Sequence, residues 1–135
     1  MEKQYLIICT WLIALFMMVS AVRAENWVNV AKAKDNSVIA YVDEDSITVD
    51  GNKRKFWMYH DFKGAQSADG KPIDKAYGHS IVDCEAKTIG YMETIIEWAD
   101  GSKKRNKEKL QGEPVKSGSV DAAILNYVCE YKKQG

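Results

Sequence analysis

The chain has 135 residues, 46% of them hydrophobic, and its 19 basic and 19 acidic residues cancel. Once a leader is set aside, that length holds one domain and is too small for two. A balanced charge excludes a dedicated nucleic-acid binder, which needs a basic field, and no internal repeat, low-complexity tract or inter-domain linker points to a repeat array or a tethered assembly.

Residues 1–24 read as a signal peptide. A long apolar run over residues 5–19 follows Met1-Glu2-Lys3-Gln4, and Ser20-Ala21-Val22-Arg23-Ala24 puts Val22 and Ala24 at the small-residue positions of a signal-peptidase site, with the cut between Ala24 and Glu25. Residues 5–22 are also just long enough to cross a bilayer as an uncleaved anchor, although the cleavage-site residues favour removal. Either way residues 25–135 are expected to be exported, as a periplasmic, secreted or cell-surface domain with no stable membrane insertion after cleavage. Cys9 lies inside the apolar run without the small residues that precede a lipid-attachment cysteine, so it belongs to the signal. Cys84 and Cys129 remain as an even pair in an oxidising compartment, which makes a disulfide the default. Closing so long a loop stabilises a fold by about 4 kcal/mol through chain entropy.

Residues 27–31 (WVNVA) and 37–42 (SVIAYV) are β-branched and aromatic runs joined across Lys34-Asp35-Asn36, a hairpin pattern. Asp43-Glu44-Asp45-Ser46 predicts a tight turn in which the Asp43 carboxylate accepts from a backbone N–H near Ser46. Ile47 and Val49 then alternate with polar neighbours up to Asp50-Gly51-Asn52, the strongest hairpin signal present. Residues 53–62 form a long strand with Phe56, Met58, His60 and Phe62 on one face and Trp57 and Tyr59 on the other; bulk on both sides predicts a central strand covered on each face. Residues 64–74, with two glycines and a proline, read as an exposed, mobile loop.

Residues 77–84 and 88–98 predict two further strands joined at Glu85-Ala86-Lys87, with Val82 and Cys84 on a shared face. Ala99-Asp100-Gly101-Ser102 supplies another hairpin turn, after which residues 103–109 (KKRNKEK) form a solvated edge strand or a loop, and Gly112 and Pro114 break the chain. Ser119 then caps a helix that runs to Cys129. Val120, Ala123, Ile124, Tyr127 and Val128 recur at helical spacing on one stripe, the Ser119 hydroxyl can accept from first-turn amides, and Asp121 faces the positive end of the dipole. So short a helix is marginal alone and must be held from outside, by a sheet and by Cys129. The sum is an α+β domain: an antiparallel sheet of about six strands in hairpin order, with one C-terminal helix packed on it and tethered by the disulfide.

No catalytic set converges along this pattern. His79, Ser80 and Asp83 are the residue types of a hydrolase triad, but strand neighbours point to opposite faces and no sharp Gly-x-Ser-x-Gly turn carries Ser80. His60 and His79 could meet across strands with Asp61 or Asp83 around a metal, yet they lack a third ligand at helical or hairpin spacing. Asp43, Asp45 and Asp50 fail the calcium-loop pattern because Ile47 and Val49 stand where ligands should be. Neither catalysis nor a cofactor is expected. Lys103, Lys104, Arg105, Lys107 and Lys109 form a basic ridge, which is either a solvated edge that resists aggregation or a contact for acidic protein, glycan or lipid headgroups. Trp27, Tyr41, Trp57, Tyr59, Tyr77, Tyr91 and Trp98 are numerous for this length; a surplus of them on an open sheet face would mark a protein interface or a self-association surface.

Taken in order, Trp27, Tyr41-Val42-Asp43, Ser46-Ile47, Gly51, Trp57, Asp83-Cys84, Tyr91, Gly101, Pro114, Ser119 and Cys129 resemble the bacterial surface-adhesin protein E family along essentially all of residues 25–135. The resemblance implies one exported, non-enzymatic binding domain whose partner is an extracellular-matrix or envelope protein, and it suggests a homodimer. Two departures stand out. There is no lipidation cysteine for display on an outer membrane, and Lys109-Leu110-Gln111 replaces an aromatic of the family pattern. No ligand-binding residue maps across. The competing function is a small periplasmic protein that inhibits a hydrolase by inserting a loop, for which residues 64–74 are the natural candidate, or that acts as an envelope accessory protein.

Overall fold

In the computed structural model, which describes residues 25–63, 65–67 and 69–132, eight antiparallel strands make one sheet and a C-terminal helix lies on it. The expected leader, residues 1–24, lies outside the described residues. The strands are β1 (Trp27–Lys32), β2 (Ile39–Asp43), β3 (Thr48–Asp50), β4 (Lys53–Asp61), β5 (Ile73–Asp83), β6 (Thr88–Trp98), β7 (Lys103–Asn106) and β8 (Leu110–Pro114), followed by α1 (Val120–Glu130). Six of them follow one another across the sheet as β1-β2-β4-β5-β6-β7, and β3 and β8 are short additions. β2 and β3 share one edge of β4, β2 along residues 58–61 and β3 along residues 53–55. β7 and β8 divide the far edge of β6 in the same way.

Turn chemistry fixes these registers. Asp43 Oδ1 accepts from the Asp45 N–H at 3.1 Å and opens the 3-10 turn Glu44–Ser46; Asp83 Oδ1 accepts from the Glu85 and Ala86 N–H groups at 3.0 and 2.9 Å; and Asp100 Oδ1 accepts from the Ser102 N–H at 2.8 Å. Each short carboxylate closes its own turn, so the strands on either side meet in one alignment.

One face of the sheet carries the core. Ala40, Val42, Ile47, Phe56, Met58, Val82 and Ile89 pack against Ile124, Leu125 and Val128 of α1. Full burial of such side chains is worth roughly 1.5–3 kcal/mol each, which the lone helix could not supply for itself. Ser119 caps α1 as the sequence predicts, its Oγ accepting from the Ala122 N–H at 3.1 Å. At the other end Cys129 is bonded to Cys84, with Cα atoms 5.9 Å apart. The buried stripe is Ile124, Leu125 and Val128. Tyr127 is only partly buried, and its hydroxyl donates instead to the Glu44 carboxylate, tying α1 to the 3-10 turn.

Four local expectations change. Gly112 and Pro114 do not break the chain but lie in β8, an edge strand where the missing N–H of proline needs no partner. Gly112 crosses Gly90 so closely that a Cβ on Gly90 would stand 2.8 Å from the Leu110 carbonyl oxygen, which only glycine tolerates. β5 begins at Ile73 rather than four residues later, and Lys71 reaches Asp100 at 3.3 Å and Ser102 Oγ at 3.0 Å, pinning the end of the preceding loop to the β6–β7 turn. Ile47 is fully buried whereas Val49 is 60% exposed, because Ile47 closes the 3-10 turn and β3 starts only after it. β4 is central as expected, but α1 covers one of its faces and no described element covers the other.

Candidate functional site

The uncovered face is built by the period-two alternation of strands. In β4 the residues that point away from α1 include Trp57 and Tyr59; pairing with β2 puts Tyr41 opposite Tyr59, and pairing with β5 puts Tyr77 opposite Tyr59 and His79 opposite Trp57. β1 adds Trp27. The six rings form one layer. Trp57 and His79 stack at 4.8 Å with planes 6° apart, Tyr41 and Tyr59 stack at 4.6 Å, Tyr59 and Tyr77 are 5.3 Å apart, and Trp27 stands edge-on to Tyr59 at 4.7 Å and to Tyr77 at 6.1 Å. All six are half-buried, shielded by one another rather than by a second layer among the described residues. Cross-strand aromatic pairs of this kind contribute roughly 0.2–1 kcal/mol each, so the layer adds some stability, but far less than it would under a packed element.

Beside the layer lies a hollow of about 550 Å³, lined by Trp27, Trp57, Tyr77 and Ile95, by Glu25 and Asp43 from the β1–β2 side and by Lys103 and Arg105 from β7. The two bases are engaged: Arg105 Nε lies 2.9 Å from a Glu93 carboxylate oxygen, and Lys103 Nζ lies 3.4 Å from Glu97. Glu25 accepts from the Trp27 indole N–H at 2.7 Å, and Asp43 Oδ1 accepts from the Asn26 N–H at 3.1 Å besides closing its own turn. Burial raises the Tyr77 hydroxyl above the usual phenol range, helped by Glu97, and raises that of Tyr59, helped by Tyr41. Burial lowers the His79 imidazole, and Glu93 opposes that shift. The layer is therefore an uncharged π surface at neutral pH.

The basic residues singled out in the sequence do not share a face. Lys103 and Arg105 line the hollow, Lys104 alternates to the α1 side, and Lys107 and Lys109 fall in the connection from β7 to β8; all five are exposed. His60 and His79 lie on opposite faces, since His60 pairs with Ala76 in the register that pairs Trp57 with His79. His60 sits on the α1 side, where burial lowers its pKa against the pull of Asp121. Ser80 is fully buried, and Asp83 is occupied by its turn. Among the described residues no three His, Cys, Asp or Glu side chains converge as metal ligands. Tyr91 also belongs to the α1 side, so close to Gly78 that a Cβ there would stand 2.9 Å from the Tyr91 ring, and burial and then Asp121 push its hydroxyl up to about 12. Trp98 lies under the Lys71 ammonium, 4.5 Å from it. Sequence reasoning missed His79 as a member of the layer and Glu93 and Glu97 as its counter-charges. Counting back from the Asp100-Gly101 turn would have placed Glu97 opposite Lys103, the observed pairing.

The family model of surface-adhesin protein E matches residues 27–130. Among solved structures, crystal form II of Haemophilus influenzae protein E superposes with a TM-score of 0.56 at 16% identity, over 80% of this chain and 89% of that one. The selenomethionine form of the same protein superposes at 0.55 with 15% identity, over 80% and 88%. At that identity the likeness concerns the fold alone. No curated protein matches the chain.

Proposed function

This chain belongs to the surface-adhesin protein E family, and on that premise we propose that it is an exported, non-enzymatic binding domain that captures a protein partner on the open face of its sheet. The observation that carries the reading is the layer of Trp27, Tyr41, Trp57, Tyr59, Tyr77 and His79, covered by no described element and set beside a hollow. Trp and Tyr dominate the energetic centres of protein interfaces because they bury much area at little cost in side-chain entropy. The partner is an extracellular-matrix or envelope protein, and the same face would serve a homodimer. Export rests on residues 1–24, with Val22 and Ala24 at the cleavage site; intact mass of protein from the producing cell should start at Glu25, and a mass that retains the first 24 residues would mean an anchored chain. The exposed Lys104, Lys107 and Lys109 would add long-range attraction to an acidic surface, as would any part of Lys103 and Arg105 not cancelled by their carboxylates.

The test is capture of the protein on immobilised matrix proteins, beside a separate assay for inhibition of cell-wall hydrolases. Trp57→Ala with Tyr59→Ala should weaken capture by about tenfold or more, with circular dichroism showing the sheet intact. Unchanged capture would remove the open face from the function. Inhibition without capture would favour the hydrolase-inhibitor reading through residues 64–74.

A further inference from the structure

We infer that the hollow over Trp27, Trp57 and Tyr77 takes the side chain of an arginine presented by an extended segment of the partner protein; this rests on the binding-domain reading and names the chemistry of the contact. Three features of the site select a cation. The first is the floor. Trp27 and Tyr77 meet at 63° with centroids 6.1 Å apart, an open corner of π faces in a space of about 550 Å³, large enough for a side chain and the backbone that carries it. Aromatic faces attract cations through their quadrupole, and this layer already does so, because the Lys75 ammonium stands 5.5 Å from the Tyr59 ring centre.

The second feature is the balance of charge. Lys103 and Arg105 are matched by Glu97 and Glu93, whereas Glu25 and Asp43, on the β1–β2 side, accept from neutral N–H groups and have no cationic partner among the described residues. The hollow therefore offers an incoming cation the exposed Glu25 and, behind it, the largely buried Asp43, neither paired with a cation among the described residues, and the same two carboxylates repel an incoming carboxylate. The third feature is shape. A guanidinium is planar, stacks on indole and phenol faces and donates along its edge, so it can lie on Trp27 while bonding to Glu25; an ammonium is a compact, strongly hydrated point charge that cannot do both. Of the basic ridge, Lys104, Lys107 and Lys109 lie outside the lining of the hollow, while Lys75 stands on Tyr59 and not on Trp27 or Trp57.

The experiment uses nitrogen-labelled protein recovered from the cell envelope and follows the indole N–H signals of Trp27 and Trp57 while three blocked tripeptides are added: Gly-Arg-Gly, its citrulline isostere, which has the same shape without the charge, and Gly-Glu-Gly. The arginine peptide should shift both indoles and bind roughly 3- to 30-fold more tightly than the citrulline peptide. Glu25→Gln, a change at the exposed rim, should remove most of that preference, and Trp27→Leu should remove binding with the melting temperature checked. Equal binding of the arginine and citrulline peptides, preference for the glutamate peptide, or no shift with any of them overturns the inference. If capture of matrix protein still depends on Trp57 and Tyr59 in those cases, the open face remains the interface and only its proposed chemistry fails. If instead the arginine preference holds while capture ignores the face, the hollow stands and the adhesive reading fails.

Discussion

The two faces of this sheet are made from the same strands and differ in what completes them. On one, Phe56 and Met58 of β4, Val82 of β5 and Ile89 of β6 are sealed by α1, which is itself fixed at Ser119 and at the Cys84–Cys129 bond. On the other, Trp57 and Tyr59 of β4 and Tyr77 and His79 of β5 pack on one another and on Trp27 and Tyr41, with no described element over them. Aliphatic residues have no directional preference and lose water only when something packs on them, so their face needed a lid. Aromatic rings partly shield each other by stacking and edge contact, so their face can stay open without collapsing or being covered. The covered face should therefore hold most of the stability and the open face most of the recognition, and substitutions can pull those two roles apart.

The largest effects on stability should come from the lid. Replacing Cys84 and Cys129 together by serine should cost roughly 2–5 kcal/mol, the loss expected for a native bridge in a small secreted domain, and Ile124→Ala should cost a similar 2–5 kcal/mol through lost transfer energy and a cavity. Denaturant melts measure both. Asn126→Ala, on the exposed side of α1, should fall within about 0.5 kcal/mol of the wild type. If Trp57→Ala proved as damaging as Ile124→Ala, the open face would be a core in its own right and the division of labour would be wrong.

A second, smaller effect on the covered face is read by pH. Tyr91, on the α1 side, has its hydroxyl pushed up to about 12, first by burial and then by Asp121. Its folded pKa lies above that of the unfolded chain, near 10 for a free phenol. The stability it contributes is thus fully present below about pH 10 and is lost as pH rises toward about 12, where the unfolded chain ionises first. Alkaline melts of the wild type should fall in that window by up to about 3 kcal/mol, and Tyr91→Phe should flatten the fall. An unchanged alkaline transition in Tyr91→Phe would place the sensitivity elsewhere, with Tyr127 beside Glu44 the next group to test.

What could be read from the sequence divides along the same line. Ser119, Ile124, Val128 and the cysteine pair are local or parity signals, and the structure places each where the pattern does. Trp57 and Tyr59 announce a shared face by their spacing on one strand. Bulk on both sides of β4 predicts a cover on each face, but bulk does not distinguish a residue awaiting a lid from a ring that stacks on its neighbours. That Trp27, Tyr41, Tyr77 and His79 join them depends on β2 lying beside β4 with Tyr41 opposite Tyr59, a non-local register that no short window contains. β8 was hidden for the opposite reason: Gly112 and Pro114 carry strong local breaker signals, and the edge position and the close crossing with Gly90 override them.

A small effect on stability is also expected from the ion pairs at the rim of the open face, and it is the one that most sharpens the comparison. Glu93→Gln with Glu97→Gln removes the partners of Arg105 and Lys103. Pairs whose bases are this exposed contribute about 0–1 kcal/mol, so the melting temperature should hardly move, whereas a pair of carboxylates lost beneath α1 would be felt at once. The charge of the hollow should nevertheless reverse in effect: two bases without counter-charges would then face Glu25 and Asp43 across the aromatic floor. The preference for the arginine tripeptide over its citrulline isostere should shrink or vanish, and the glutamate tripeptide should gain affinity that falls as salt is added. A large loss of stability in this variant would show that the carboxylates hold the open face together; unchanged peptide preference would show that Lys103 and Arg105 do not set the chemistry of the site.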